Sequence, residues 1–404
     1  MHVLILGGDG YLGWPTAMSF SKRGYQVTVV DNYFRRNACI ELDAGILYPV
    51  PTLIERAKIW YELTGKEIKI VIGDLTDPEV MRSFFTGGVE YQFAIHPTFA
   101  GIPQTVVHYA EQPSAPYSLI NHKYANTTII NNLLVTNNLM FAVRDFSRDT
   151  HVIKLGTMGE YGTPNIDIEE GWIEIEHKGR TGHFLFPRQA GSIYHTTKIM
   201  DTDLLWFGVR TWDLKITDLM QGPVYGLETE ESIYDPRLRT IFNYDEIFGT
   251  VLNRFIVQAI ISHPLSVYGK GGQTRGYLNI MDTLQCIHKA ASTPAKRGEL
   301  RIFNQIMETF NVNQLAQKVK KVGADLGYPV EIKHFENPRF EAEEHYYNPT
   351  YQGLVELGVE PHFLTAEVLE GIFRVVAVYR DNIRKDLIFR GVNWLRDEKT
   401  TIQR

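Results

Sequence analysis

Cysteine is nearly absent: the 404 residues contain two, Cys39 and Cys286. They stand far apart, with no Cys or His neighbour at ligand spacing, which excludes a disulfide framework and a zinc site as organising features. Both read as reduced thiols. No apolar run reaches the ~20 residues that a membrane span needs. Like charges never cluster into a long run, and the net charge is −6, so the basic footprint of a nucleic-acid binder is missing. Internal repeats and low-complexity segments are also missing, which leaves no case for a solenoid or a disordered chain. What remains is 44% hydrophobic and 22% charged, ordinary for a globular protein and long enough to bury a large core without staples. Met1 runs straight into the apolar His2–Leu6, so no targeting peptide is expected, and a cytoplasmic location follows as an expectation.

Short apolar runs alternate with helical stretches over the first 160 residues. Strands are expected at His2–Leu6, Gln26–Asp31, Ile68–Ile72, Val106–His108 and His151–Leu155. Helices are expected at Tyr11–Lys22, Ile54–Leu63, Pro78–Phe85 and about Tyr124–Phe146. That alternation predicts a parallel sheet covered on both faces and, with right-handed crossovers, an α/β Rossmann fold with a doubly wound order. Beyond about residue 210 the texture changes. Strand-like segments (Ile216–Gln221, Leu265–Tyr268, Leu300–Phe303) mix with helix-like ones (Phe255–His263, Asn313–Leu326, Ala366–Tyr379). Residues 1–212 are read as a dinucleotide-binding domain. Residues 213–404 are read mainly as a smaller C-terminal substrate-binding lobe, with segments returning to the first sheet. Two irregular stretches stand out. Phe84–Gln104 reads as a surface loop or as cover for the cleft. Pro164–Gln189, rich in acidic and aromatic residues, reads as a loop placed to act as a lid.

The turn Gly7-Gly8-Asp9-Gly10-Tyr11-Leu12-Gly13 follows the first strand and opens a helix. Its glycines permit a tight turn and leave backbone N–H groups at a helix N-terminus for a pyrophosphate. Asp31 closes the second strand, where an acid binds adenosine ribose hydroxyls and repels a 2′-phosphate, which favours NAD. Asn32, Arg35 and Arg36 follow it; the arginines there could instead greet a 2′-phosphate or sit in a solvated loop. Asp74 and Leu75 close the third strand, with Asp74 reading equally as an adenine contact and as a turn cap. His108 and Asn131 are counted with the cofactor contacts.

Tyr194-His195-Thr196-Thr197-Lys198 is the one Tyr-x-x-x-Lys in the chain. On a helix the two ends share a face, and an ammonium beside a phenol is expected to lower its pKa so that it can act as a base. Thr157 falls at the end of the fifth strand, where open α/β sheets bind ligands, and its hydroxyl could hold a substrate hydroxyl that is being oxidised. The glycine turn, Asp31, Thr157, Tyr194 and Lys198 in this order make one constellation.

Longer blocks carry a resemblance. Residues 156–171 (Gly-Thr-Met-Gly-Glu-Tyr-Gly-Thr-Pro-Asn-Ile-Asp-Ile-Glu-Glu-Gly) resemble the UDP-sulfoquinovose synthase family of extended short-chain dehydrogenases. So do Ser114-Ala115-Pro116-Tyr117-Ser118, the Tyr268–Tyr277 block, and the 337–347 block with Arg339 and Glu344. The resemblance spans nearly the whole chain. It implies that UDP-glucose and sulfite give UDP-sulfoquinovose and water, with NAD retained through the cycle. Tyr194 would take the C4 hydroxyl proton, Thr157 hold that hydroxyl, and Lys198 tune Tyr194 and hold the nicotinamide ribose. Related sugar dehydratases carry an Asp-Glu pair where this chain has Met158-Gly159, so His195 or Glu160 is the expected C5/C6 acid–base group. Arg275 and Arg339 would clamp the pyrophosphate and Gln221 line the glucosyl pocket. Asn253 and Arg254 would reach the uracil or the phosphates, and Glu344 joins the substrate contacts. The resemblance also implies a homodimer built on helices near 124–146 and 194–207. Photosynthetic family members read Glu-Gln-Arg-Ser-Ala-Pro where this chain has Glu111-Gln112-Pro113-Ser114-Ala115-Pro116, which removes one anion contact. The runner-up activity is a UDP-glucose 4-epimerase or dehydratase, and the runner-up of another class is a non-catalytic NAD-binding scaffold.

Overall fold

A computed structural model describes residues 1–337 and 346–388. Seven strands form one parallel sheet: β1 (His2–Leu6), β2 (Gln26–Asp31), β3 (Lys69–Ile72), β4 (Thr105–His108), β5 (His151–Thr157), β6 (Lys215–Gln221) and β7 (Glu299–Gln305). Their order across the sheet is β7-β6-β5-β4-β1-β2-β3. The chain therefore leaves β1 toward β3, returns, and continues from β4 on the other side. This is the reversal of a doubly wound fold, and a crevice opens where the order reverses.

Near-continuous apolar strands demand cover on both faces. On one face Val3, Ile5, Val29, Val107 and Ile153 pack with Trp14 and Phe20 of the Gly13–Lys22 helix. On the other, Leu4, Leu6, Val30, Val106 and Val152 pack with Leu139 and Val143 of the His122–Phe146 helix and with Leu205 and Val209 of the Ile193–Trp212 helix. β6 and β7 come from beyond residue 212 and complete the same sheet. A further core joins Phe255, Ile256, Leu265, Val267, Leu315 and Phe373 around the Leu265–Tyr268 and Ile332–Phe335 strands.

The expected strands and helices of the first half are present, shifted by no more than two residues at their ends. The 164–189 stretch is not an open loop. It contains an antiparallel hairpin, Trp172–His177 against Arg180–Leu185, which rests on the Ile193–Trp212 helix through Trp172 and Trp206, ring centroids 5.0 Å apart. The 84–104 stretch lies away from the crevice. Phe93 bridges to Ile70, and the carbonyls of His96 and Thr98 accept hydrogen bonds from Lys69 at 2.6 Å each. Among the described residues, no helix is long and apolar enough to cross a membrane.

Candidate active site

The carboxyl ends of β1, β2, β4, β5 and β6 open into one cleft of about 630 Å³. Register explains part of it: Thr157, Gln221 and Gln305 are paired neighbours at the ends of β5, β6 and β7. The Gln221 amide donates to Gln305 Oε1 at 2.8 Å, which fixes its orientation. The cleft brings together Gly7, Gly10, Tyr11, Leu12, Gly13, Asp31, Asn32, Arg35, Asp74, Leu75, Asn131, Thr157, Tyr194, His195, Gln221, Asn253 and Arg275.

Several expected residues are placed elsewhere. Asp9 is buried, its carboxylate 2.8 Å from Arg36 and 2.5 Å from the fully buried Arg56. Its backbone N–H donates to Asp31 Oδ2 at 2.8 Å, so its part is to brace the turn. Arg36 is held by Asp9 and by the carbonyls of Val50 and Pro51. Arg35 does line the cleft, but it lies over Phe248 and donates to Asn243 at 2.8 Å. Neither arginine is thus a solvated loop residue. His108 is buried 3.1 Å from the Thr136 hydroxyl, and burial holds it neutral with a pKa near 4. Arg254 is buried, 3.5 Å from Glu246. Asp74 closes a turn by accepting from the Thr76 N–H at 2.9 Å, while also lining the cleft. Arg339 and Glu344 lie outside the described residues.

Glu160 is also set back from the cleft. It is fully buried, 3.5 Å from Lys154 and 3.6 Å from Arg188, and the Thr202 hydroxyl donates to it at 3.4 Å. Burial raises its pKa above the ordinary carboxylate range. It accepts from the Thr157 N–H at 3.3 Å and so fixes the turn that presents the Thr157 hydroxyl.

Lys198 is buried one helical turn from Tyr194. Its ammonium donates to Glu111 Oε2 and to the Leu155 carbonyl, each at 2.5 Å. Burial would lower its pKa, but the Glu111 and Asp201 carboxylates outweigh burial and raise it. Burial would raise Glu111; Lys198 outweighs that and holds it below its usual value. This corrects one expectation. Any lowering by Lys198 is outweighed. Burial, and then the Glu111 and Glu160 charges, hold the Tyr194 phenol above its ordinary pKa. Glu111 itself lines the cleft and is absent from the residues expected above. Its signal was an acid three residues past the end of β4, at the ligand-binding edge of the sheet.

The turn after β1 fits a dinucleotide. Gly7 has φ +87°, and a Cβ there would lie 2.7 Å from the Tyr109 carbonyl carbon; one on Gly13 would lie 2.1 Å from the Gly7 oxygen. Bare backbone therefore faces the cleft at a helix N-terminus, as a pyrophosphate requires. The Asp31 carboxylate lies at the end of β2, accepting from the N–H groups of Asp9 and Tyr33.

Residues 3–305 match the NAD dependent epimerase/dehydratase family, and the chain belongs to that family of NAD-using proteins. Its near-full-length relatives place it more narrowly, with the UDP-sulfoquinovose synthases. The chloroplastic UDP-sulfoquinovose synthase of Spinacia oleracea is 47% identical over 97% of this chain and 79% of its own length. The UDP-sulfoquinovose synthase of Sulfolobus acidocaldarius is 41% identical over 98% of each. Among solved structures, the UDP-glucose 4-epimerase of Thermotoga maritima with UDP-glucose shares the fold at TM-score 0.66 and 20% identity, covering 93% of this chain and 98% of that one. The UDP-glucuronic acid 4-epimerase of Bacillus cereus with UDP-glucuronic acid and NAD does so at 0.66 and 17%, covering 93% and 99%.

Proposed function

We propose that this protein makes UDP-sulfoquinovose from UDP-glucose and sulfite, releasing water. The observation that carries the reading is the company of side chains in one cleft: a strand-end hydroxyl, a helix-borne phenol and the imidazole beside it, next to a dinucleotide turn. Bound NAD supplies the acceptor, and later the donor, of the C4 hydride.

The chain's own residues divide the remaining work. Thr157 holds the C4 hydroxyl and Tyr194 takes its proton. Lys198, held by Glu111, orients the nicotinamide ribose. Oxidation at C4 acidifies the C5 proton. His195 takes that proton and passes it to the departing C6 oxygen, so the C5–H and C6–O bonds break and water leaves. Sulfite then arrives as bisulfite, its proton passes to His195 as its sulfur adds at C6, and the imidazolium so formed returns a proton to C5. Glu160, boxed in by Lys154 and Arg188, instead supports the Thr157 turn. Arg275 suits the pyrophosphate, Gln221 the glucosyl hydroxyls, and Asn253 the nucleotide. Asp31, Asn32, Arg35, Asp74, Leu75 and Asn131 line the same cleft and suit the dinucleotide.

We further propose a homodimer. Ile130, Leu134 and Phe141 expose an apolar stripe on the His122–Phe146 helix, and Met200 and Phe207 continue it on the Ile193–Trp212 helix. A stripe at helical spacing on two adjoining helices suits a four-helix contact with a second copy. Two unpaired, buried cysteines suit a reducing compartment such as the cytoplasm.

Incubation of the holoenzyme with UDP-glucose and labelled sulfite tests the activity. A nucleotide sugar with the label bonded to carbon supports the proposal. UDP-galactose as the sole product would replace it with 4-epimerisation.

A further inference from the structure

Gly159 lies in the short turn Met158–Glu160 that follows Thr157. Its backbone is not among the positive-φ positions, so conformation does not require a glycine there. Space does. A Cβ on Gly159 would sit 2.3 Å from His195 Nε2, 2.5 Å from Cδ2 and 3.0 Å from Cε1. These three nearest atoms all belong to one imidazole, and contacts this short are repulsive.

The ring has little room to yield. Its other nitrogen, Nδ1, is 3.1 Å from the hydroxyl of Ser192, the N-cap of the Ile193–Trp212 helix. The opposite edge lies against a turn that Thr157 fastens, since its hydroxyl accepts the Gly159 N–H at 3.2 Å. The missing side chain therefore lets Nε2 stand against the turn that follows Thr157. We infer that Gly159 is a specificity-determining residue: by leaving this space empty it admits the His195 imidazole to the reacting edge of the sugar. The acid–base group then comes from the helix instead of from the turn. A larger residue at 159 would claim the same volume and evict the ring. This inference rests on the acid–base role given to His195 above.

The test is a four-member cycle of holoenzymes: wild type, G159A, H195A and G159A/H195A. Two readouts are followed, the thermal midpoint and the wash-in of solvent deuterium at C5 of UDP-glucose. The inference predicts that G159A lowers Tm in the wild-type background but not in the H195A background, where the ring is gone. It also predicts that G159A and H195A each slow C5 exchange by about 100-fold, with the double variant no slower than H195A. Should G159A alone fail to fold, a folded double variant supports the inference and an equally unfolded one overturns it. G159A with wild-type Tm and exchange, or losses that multiply in the double variant, would also overturn it. If H195A itself exchanges at the wild-type rate, the acid–base reading of His195 falls and takes this inference with it. If H195A is slow and G159A is not, the inference about Gly159 alone falls.

Discussion

The Tyr194 phenol sits above its ordinary pKa, so the phenolate that takes the C4 proton is a minor form, and the source of the shift is specific. Burial sets the direction, and the Glu111 carboxylate, 2.5 Å from Lys198, adds to it. Replacing Glu111 by Gln removes a negative charge near the phenol, so the Tyr194 pKa falls. The expected outcome is an acid limb of the kcat–pH profile displaced to lower pH in E111Q; an unmoved limb would remove Glu111 from that role. Tyr194→Phe deletes the proton acceptor. It should lower kcat by about 10²- to 10⁴-fold with little change in KM for UDP-glucose, read by product formation. Asp31 gives a second pH dependence. Burial raises its pKa to about 6. The folded state then binds its proton more tightly than the unfolded chain does, so this group's contribution to stability is lost as pH rises from about 4 to about 6. Ribose hydroxyls prefer the ionised acceptor. NAD binding to apoenzyme should therefore weaken by about ten-fold between pH 7 and pH 5, measurable by calorimetry.

Among elements, the strands of the first half were plain in the sequence because buried parallel strands are continuous apolar runs, and Val27–Val30 or Val106–Val107 admit little else. The hairpin at 172–185 was hidden because most of its side chains are exposed, so the polar, acidic run looked like a loop. The Phe34–Glu41 helix was hidden by its two arginines, which read as a solvated loop and instead reach Asp9 and Asn243. In the site, the strand-end and helix-borne groups were legible from motif spacing: Thr157, Tyr194 and the glycine turn. Pairings across the fold were not. Glu111 with Lys198, Glu160 with Lys154 and Asp9 with Arg56 each join residues more than five apart in sequence, and no local pattern encodes such contacts. The last pair carries its own prediction. Asp9→Ala leaves the Arg56 guanidinium buried without its nearest carboxylate, and should cost about 3–5 kcal/mol of stability. Urea unfolding of the variant would show this as a lowered midpoint.

At the scale of the whole molecule, one continuous sheet carries β1 to β5 from the N-terminal half together with β6 and β7 from beyond residue 212. The cleft is likewise built by both halves, with the glycine turn and Thr157 on one side and Gln221, Asn253 and Arg275 on the other. A homodimer through the exposed stripe predicts that Ile130→Glu with Leu134→Glu yields a monomer by light scattering, and a variant that remains dimeric would place the contact elsewhere. The central claim is that sulfur reaches C6 through oxidation at C4 and loss of the C5 proton, within one cleft. Carrying out the reaction in heavy water with UDP-glucose and sulfite, and locating deuterium in the product by NMR, tests it most directly. The account predicts UDP-sulfoquinovose with deuterium at C5 and protium at C4, because the hydrogen taken from C4 is kept and returned while the C5 proton passes through an imidazole open to exchange. Protium retained at C5 would indicate direct displacement at C6, and the account would be wrong.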